Sequence, residues 1–316
     1  MKQNKLLLLS IFIVLSLSFV ATAEQLSEYE VSKIASSYTY DNELCEPYGP
    51  YEYNNDYYYV CSILENDLMK SEIVIDANTG SVVTSDNIAK FLIKHDLALY
   101  YLYDEEMYQL NIDNADIYRQ NVDVFKDYYD FWSSIQDSAS TDEQKQNAKD
   151  AMSISHNLML AYESKVEVTE KLIEVQNEVK SGGTLDSATR LIEAEESSYY
   201  AEKQFLKTLD DAIERTPVIY DTILNSNYRY GISEDDWELY KSTDIAFLKR
   251  EKDMSNSNIA YWESMEDTLN SDTQWFYESM MDRVQEAETA NTTPSFTFPL
   301  SILSFLVIGR SLKRKE

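Results

Sequence analysis

The side chains able to do chemistry are few and poorly matched to one another. Two cysteines, Cys45 and Cys61, and two histidines, His95 and His156, stand among 56 acidic and 27 basic residues in a chain of 316. The spacing of the cysteines suits neither a redox Cys-x-x-Cys nor a zinc site, and two histidines provide poorly for a metal or for His-based catalysis. In an exported chain an even cysteine count favours a disulfide between Cys45 and Cys61. Closing a loop of about fifteen residues would contribute on the order of 3 kcal/mol. There is no Ser or Cys elbow, no metal-spaced cluster and no glycine-rich phosphate loop. Paired carboxylates abound only because acids abound, so no glycosidase-like pair stands out. The expectation is a non-enzymatic protein with no catalytic residue, no cofactor and no metal site.

Charge narrows the partners. A net charge of −29 repels phosphate, which excludes nucleic acid. The same acidity reads as a solvated surface, or as weak collective binding of divalent cations. No acidic stretch has the spacing of a calcium loop.

Both ends read as targeting segments. Residues 1–23 carry Lys2 and Lys5, an apolar run from Leu6 to Val20, and Ala21-Thr22-Ala23. This is the layout of a secretory signal peptide, with cleavage after Ala23 and a mature chain starting near Glu24. At the other end, Asn291-Thr292-Thr293-Pro294-Ser295-Phe296 leads into an apolar run to Gly309, followed by Arg310, Lys313, Arg314 and Lys315. As a helix the run from Phe296 to Gly309 spans roughly 21 Å, short of the roughly 30 Å hydrocarbon core. Residues 294–316 resemble the archaeal PGF-type carboxy-terminal sorting signals: Pro294 and Phe296 match, and Ser295 stands where that family has Gly. The resemblance implies a membrane transpeptidase as partner, removal of the tail and a replacement lipid. A short transmembrane anchor with its basic cluster on the cytoplasmic side, or a buried terminal strand or helix, are the other readings of the same residues. Asn291 opens the sequon Asn-Thr-Thr and is a glycosylation candidate.

Between the ends, composition changes near residue 85. Residues 24–85 are Tyr-rich and strand-like: a short helix from Glu28 to Tyr38, a turn-rich stretch around Pro47, Gly49 and Pro50, then Tyr57–Ile63 and Glu72–Asp76 as strands. Asp76, Asn78, Thr79 and Gly80 carry turn chemistry. The helix-strand-strand order, and Ile73 to Val83 read as IVIDANTGSVV, resemble the PepSY-type domains over about residues 28–83. That likeness implies an extracytoplasmic α+β module, sometimes linked to regulation of secreted peptidases, and carries over no catalytic residue.

Residues 86–290 are nearly free of Gly and Pro and read as an all-α, elongated antiparallel bundle with helices at about 87–138, 143–180, 185–226 and 234–289. Thr141 with Gln144 forms a capping box, Gly182-Gly183 ends one helix, Thr184 or Asp186 starts the next, and Ser233 opens the last. Pro217 should kink or split the third helix. Apolar stripes run Ala148, Met152, Met159, Tyr162, Val166, Ile173 and Trp237, Tyr240, Phe247, Met254, Tyr261, Met265, Trp275. They read as core packing before a ligand box. Ser155, Thr169, Gln176, Asp244, Glu251 and Asp272 interrupt the seam, which implies either a partly solvated bundle or an internal polar site.

Two functions fit. One is a surface protein, anchored at its C-terminus, that presents a structural or binding surface to another surface protein. The other is an extracytoplasmic regulator or sensor, peptidase-inhibitor-like or small-ligand-binding, that acts with a partner.

Overall fold

A computed structural model describes residues 25–226 and 229–292 of the chain. Ala23, Pro294 and Phe296 lie outside the described residues, as does the side chain of Asn291.

The first regular element is α1 (Glu28–Ala35), started by a capping box in which Ser27 Oγ accepts from Glu30 N and the Glu30 carboxylate accepts from Ser27 N. It buries Val31 and Ala35 and passes through a 3₁₀ turn, Ser36–Tyr38, into a three-stranded antiparallel sheet. The strands are β1 (Leu44–Tyr53), β2 (Asp56–Glu65) and β3 (Leu68–Asp76), in the order β1-β2-β3. Two-residue turns join them. Asn54-Asn55 and Asn66-Asp67 all have positive φ, the backbone a twisted hairpin needs and one that Asn and Asp tolerate. After β3, the Asp76 carboxylate accepts from Asn78 N and Thr79 N, and Gly80 N closes on Asp76 O. Val82 then bridges back to Ile75.

The stretch around Pro47, Gly49 and Pro50 is not a turn: it is β1. Proline is compatible with a strand there because β1 pairs on one side only, and a register irregularity between Tyr48 and Tyr51 absorbs Gly49. Gly49 sits at φ +124°, and a Cβ on it would lie 2.8 Å from Tyr58 O.

The expected disulfide is also corrected. No disulfide joins Cys45 and Cys61. Cys45 lies opposite Ile63 and Cys61 opposite Pro47, so the two are diagonal neighbours across the β1–β2 pair. Diagonal positions are separated by about 7–8 Å, whereas a bridge needs Cβ atoms about 3.8 Å apart. The thiols meet instead through a hydrogen bond, which lowers the Cys45 pKa.

The helices that follow are α2 (Asp86–Tyr101), α3 (Glu105–Ser138), α4 (Asp142–Lys180), α5 (Leu185–Leu224) and α6 (Glu234–Thr292). The helix expected over 87–138 is thus two helices. Asp104 adopts an extended backbone and its carboxylate accepts from Glu106 N and Met107 N, starting α3 afresh. The capping box at Thr141 forms as expected, and of Thr184 and Asp186 it is Thr184 that caps α5, in a box with Ser187. Pro217 does not split α5, which runs continuously through it. Burial of Thr216, Ile219, Tyr220 and Ile223 around the proline offsets the backbone hydrogen bond it removes.

The described residues divide into two compact units, one running to Ile93 and resuming at Gln274, the other Lys94–Thr273. In the first, the buried set is Val60, Cys61, Ile63, Ile73, Val74 and Ile75 from the sheet, with Ala89 and Leu92 of α2 and Phe276 and Met280 of α6. Tyr53 stacks on Phe91 at 4.3 Å. Glu43 and Arg283 form a bidentate pair at 2.7 Å for both bonds, each side chain only 7% exposed. Arg283 also donates to Tyr38 O and lies over the Tyr40 ring. In the second unit, α3 to α6 share a core of Phe125, Trp132, Tyr162, Phe205, Leu209, Trp237 and their neighbours.

The buried edge of α6 differs from the expected stripe. Trp237 and Glu251 are buried as expected and Phe247 packs against the core, but Tyr240, Met254, Tyr261 and Trp275 are exposed while Leu248, Ser255, Trp262 and Leu269 are buried. The seam runs one position later than the aromatic series. It accepts small and charged residues that have partners and leaves larger rings outside.

Truncating the Glu43–Arg283 pair should be costly, because it strands a buried charge. Arg283→Ala should lower unfolding free energy by about 3–5 kcal/mol in urea denaturation. Arg119→Ala, which removes two half-exposed ion pairs, should leave it nearly unchanged.

Candidate functional site

Two polar clusters interrupt the interior of the helical unit. The first is organised by an ion pair. Lys165 Nζ on α4 lies 2.6 Å from Glu202 Oε1 on α5, both side chains no more than 10% exposed. Ser255 Oγ donates to Glu202 Oε2 at 2.8 Å and Asn258 Nδ2 to Oε1 at 3.0 Å, both from α6. The ammonium also lies over the rings of Tyr118 and Phe205, at 4.2 and 4.5 Å. One turn earlier on α4, Tyr162 donates to Glu251 at 2.8 Å. Burial and the nearby carboxylate push the Tyr162 hydroxyl pKa upward, so the phenol remains a donor. A cavity of about 130 Å³ beside the ion pair is bordered by Thr169 and Glu195. Desolvation raises the Glu195 carboxyl from 4.5 to about 7.

The second cluster is built differently. Asp244 lies seven residues after Trp237, on the same side of α6 as this fully buried ring. Its Oδ1 accepts from Tyr128 Oη at 2.9 Å, and its Oδ2 accepts from Tyr220 Oη in a short bond. The phenols come from α3 and α5. Burial raises the Asp244 pKa, and the two hydrogen bonds partly oppose that rise. The tyrosines themselves are raised, first by burial and then by the facing carboxylate. Among the described residues no lysine, arginine or histidine pairs with Asp244. Lys241, one turn earlier on the same helix, is held by Asp221 at 2.6 Å.

Asp244 borders a cavity of about 150 Å³. Its wall includes Phe125 and Trp132 of α3, Ala151 and Leu158 of α4, Ile219 of α5 and Phe247 of α6. Phe125 and Phe247 lie 6.0 Å apart, and Trp132 packs on Tyr220 at 6.0 Å. The chamber is therefore apolar and ring-lined, with one carboxylate and its two phenol donors. An apolar space of this volume holds a single benzene-sized ring. It carries the features of a small-molecule site, an apolar enclosure with a few convergent polar groups.

The residues expected to interrupt the seam have separate fates. Ser155 and Asp244 meet at the 150 Å³ cavity, and Thr169 borders the other. Glu251 joins Tyr162, Gln176 accepts from Asn111 and Asp272 from Tyr101. Cys45 and Cys61 belong to the sheet, in the other unit. His95 is buried and His156 is exposed beside Tyr129. Among the described residues no group of three or more His, Cys, Asp or Glu side chains could hold a metal ion. No described helix is long and apolar enough to cross a membrane.

Sequence reasoning missed Lys165, Glu202, Tyr128 and Tyr220. Lys165 had a legible signal, since it falls between Tyr162 and Thr169 at steps of three and four on a buried face. Tyr128 had none, because its partner is 116 residues away. No protein-family model matches the chain, and comparison with curated proteins finds no similar one.

Glu195 supplies a pH test. Its folded pKa lies above its unfolded value, so its contribution is greatest below about 4.5 and is lost as pH rises through about 7. Wild-type stability should fall across that window by up to about 3 kcal/mol, at about 1.4 kcal/mol per pKa unit. Glu195→Gln should remove that fall, read as the difference between urea midpoints at pH 5 and pH 8.

Proposed function

We propose that this is an exported, non-enzymatic protein, held at the outer face of the membrane through its C-terminal tail or a lipid that replaces it. Its helical unit binds a small, largely apolar molecule in the chamber at Asp244, and a partner protein reads that binding out. The observation that carries the reading is the chamber itself. In a bundle free to be filled by Leu and Ile, about 150 Å³ is left open beside a carboxylate. The residues that line such a space have no packing partners on that side. Occupation by a ligand supplies them.

Location rests on the sequence. The signal-peptide layout before Glu24, the PepSY-like stretch over residues 28–83 and the sorting-signal layout at Pro294 and Phe296 all favour life outside the membrane. So does strong acidity, which keeps such a surface solvated.

Protein extracted from membranes should have an intact mass that starts near Glu24 and ends near Pro294. A mass that retains residues 1–23 would overturn export, and one that retains Arg310 to Glu316 would replace processing with a kept anchor. The chamber is tested by intrinsic fluorescence, since Trp132 is in its wall. Among single-ring alcohols, acids and amines, at least one should quench Trp fluorescence saturably. Ala151→Leu, which fills the space from α4, should abolish the quench while the protein stays folded. If no probe quenches, or quenching is unchanged in Ala151→Leu, the chamber is not the site.

A further inference from the structure

The carboxylate of Asp244 is the one feature of the chamber that packing does not explain. An ionised carboxylate offers about four acceptor positions, and here Tyr128 and Tyr220 use one on each oxygen. Phenols supply hydrogen bonds but no positive charge. A carboxylate removed from water without a counter-charge is costly, and proteins normally supply a lysine or arginine. In the neighbouring cluster Glu202 has Lys165. Asp244 has no such partner among the described residues, and the nearest lysine on its own helix faces Asp221.

The walls favour the same charge that the carboxylate lacks. Phe125, Trp132 and Phe247 border the space together with the rings of Tyr128 and Tyr220. The negative faces of aromatic rings attract a cation, and the attraction strengthens when the cation is desolvated. An anionic ligand would meet both a carboxylate and a chain of net charge −29. A neutral apolar ligand would fill the volume and leave the charge uncompensated.

We infer that the ligand of this chamber is a small organic monocation, a primary or methylated amine on a group no larger than one ring. Its nitrogen lies against the Asp244 carboxylate and its apolar part against Phe125, Trp132 and Phe247. The inference rests on the reading of the chamber as a small-molecule site and adds the sign of the ligand's charge. Long-range attraction by the acidic surface speeds the encounter, and the pairing with Asp244 sets the selectivity.

The test compares benzylamine with its neutral isostere benzyl alcohol, titrated into the full chain by calorimetry at pH 7. Benzylamine should bind at least tenfold more tightly, a difference of about 1.4 kcal/mol. Asp244→Asn should abolish that preference and leave the alcohol's affinity unchanged. Ala151→Leu should abolish benzylamine binding, which separates the chamber from the acidic surface and serves alone if Asp244→Asn does not fold. Equal affinities for the two probes would overturn the charge assignment and leave the binding chamber standing. Benzylamine binding that persists in Ala151→Leu would place the amine on the surface and overturn the inference. Binding of neither probe would overturn it as well, and failure of every other single-ring probe would take the chamber reading with it.

Discussion

The Lys165–Glu202 pair draws on all four long helices of its unit. Tyr118 comes from α3, Lys165 from α4, Glu202 and Phe205 from α5, and Ser255 and Asn258 from α6. A buried ion pair contributes little net stability when well made, because desolvation opposes attraction, but a broken one costs about 3–5 kcal/mol. The arrangement therefore discriminates more than it stabilises. Sliding any one helix by a turn, about 5.4 Å, would remove a donor from Glu202 or a ring from Lys165. Apolar stripes alone tolerate such slips, since Leu packs against Leu in many registers.

With the register fixed there, Asp244 is carried to a level where α3 and α5 present phenols and not bases. The two carboxylates lie on different helices, Glu202 on α5 and Asp244 on α6, but are similar in construction, each accepting bonds from neighbouring helices. They differ in one respect, the presence of a lysine. The charge at the chamber follows from that difference, and so does the contrast between a carboxylate with a counter-charge and one without.

Much of the architecture was legible beforehand. Three helix starts, at Thr141, Thr184 and Ser233, follow from cap chemistry within four residues, and the α+β-then-helical order follows from the distribution of Gly and Pro. The misses share a cause: each depends on something distant in sequence. β1 looked like a turn because Pro47, Gly49 and Pro50 are local signals, whereas its tolerance of proline comes from being an edge. Beyond Trp237 the α6 seam was read one residue early because large rings outweigh Ser255 in any apolar count, and Glu202, the partner that lets Ser255 be buried, lies on another helix. Cys45 and Cys61 fit a bridge by number and compartment, but strand register put them on a diagonal. Asp244 was visible as an interruption of the seam; that it faces two tyrosines was not.

The clamp between Glu43 and Arg283 joins residues 240 positions apart, and this orders events during synthesis. A chain that emerges N-terminus first presents the sheet long before the last turns of α6 exist. Until those arrive, Glu43 has no guanidinium, and the side chains destined to lie under Phe276 and Met280 remain open to water or to a chaperone. The continuous stretch Lys94–Thr273 needs nothing beyond its own ends and can close first. The part of the molecule made earliest is thus completed last, and a chain cut short between Thr273 and Arg283 would carry an unfinished sheet and a finished bundle.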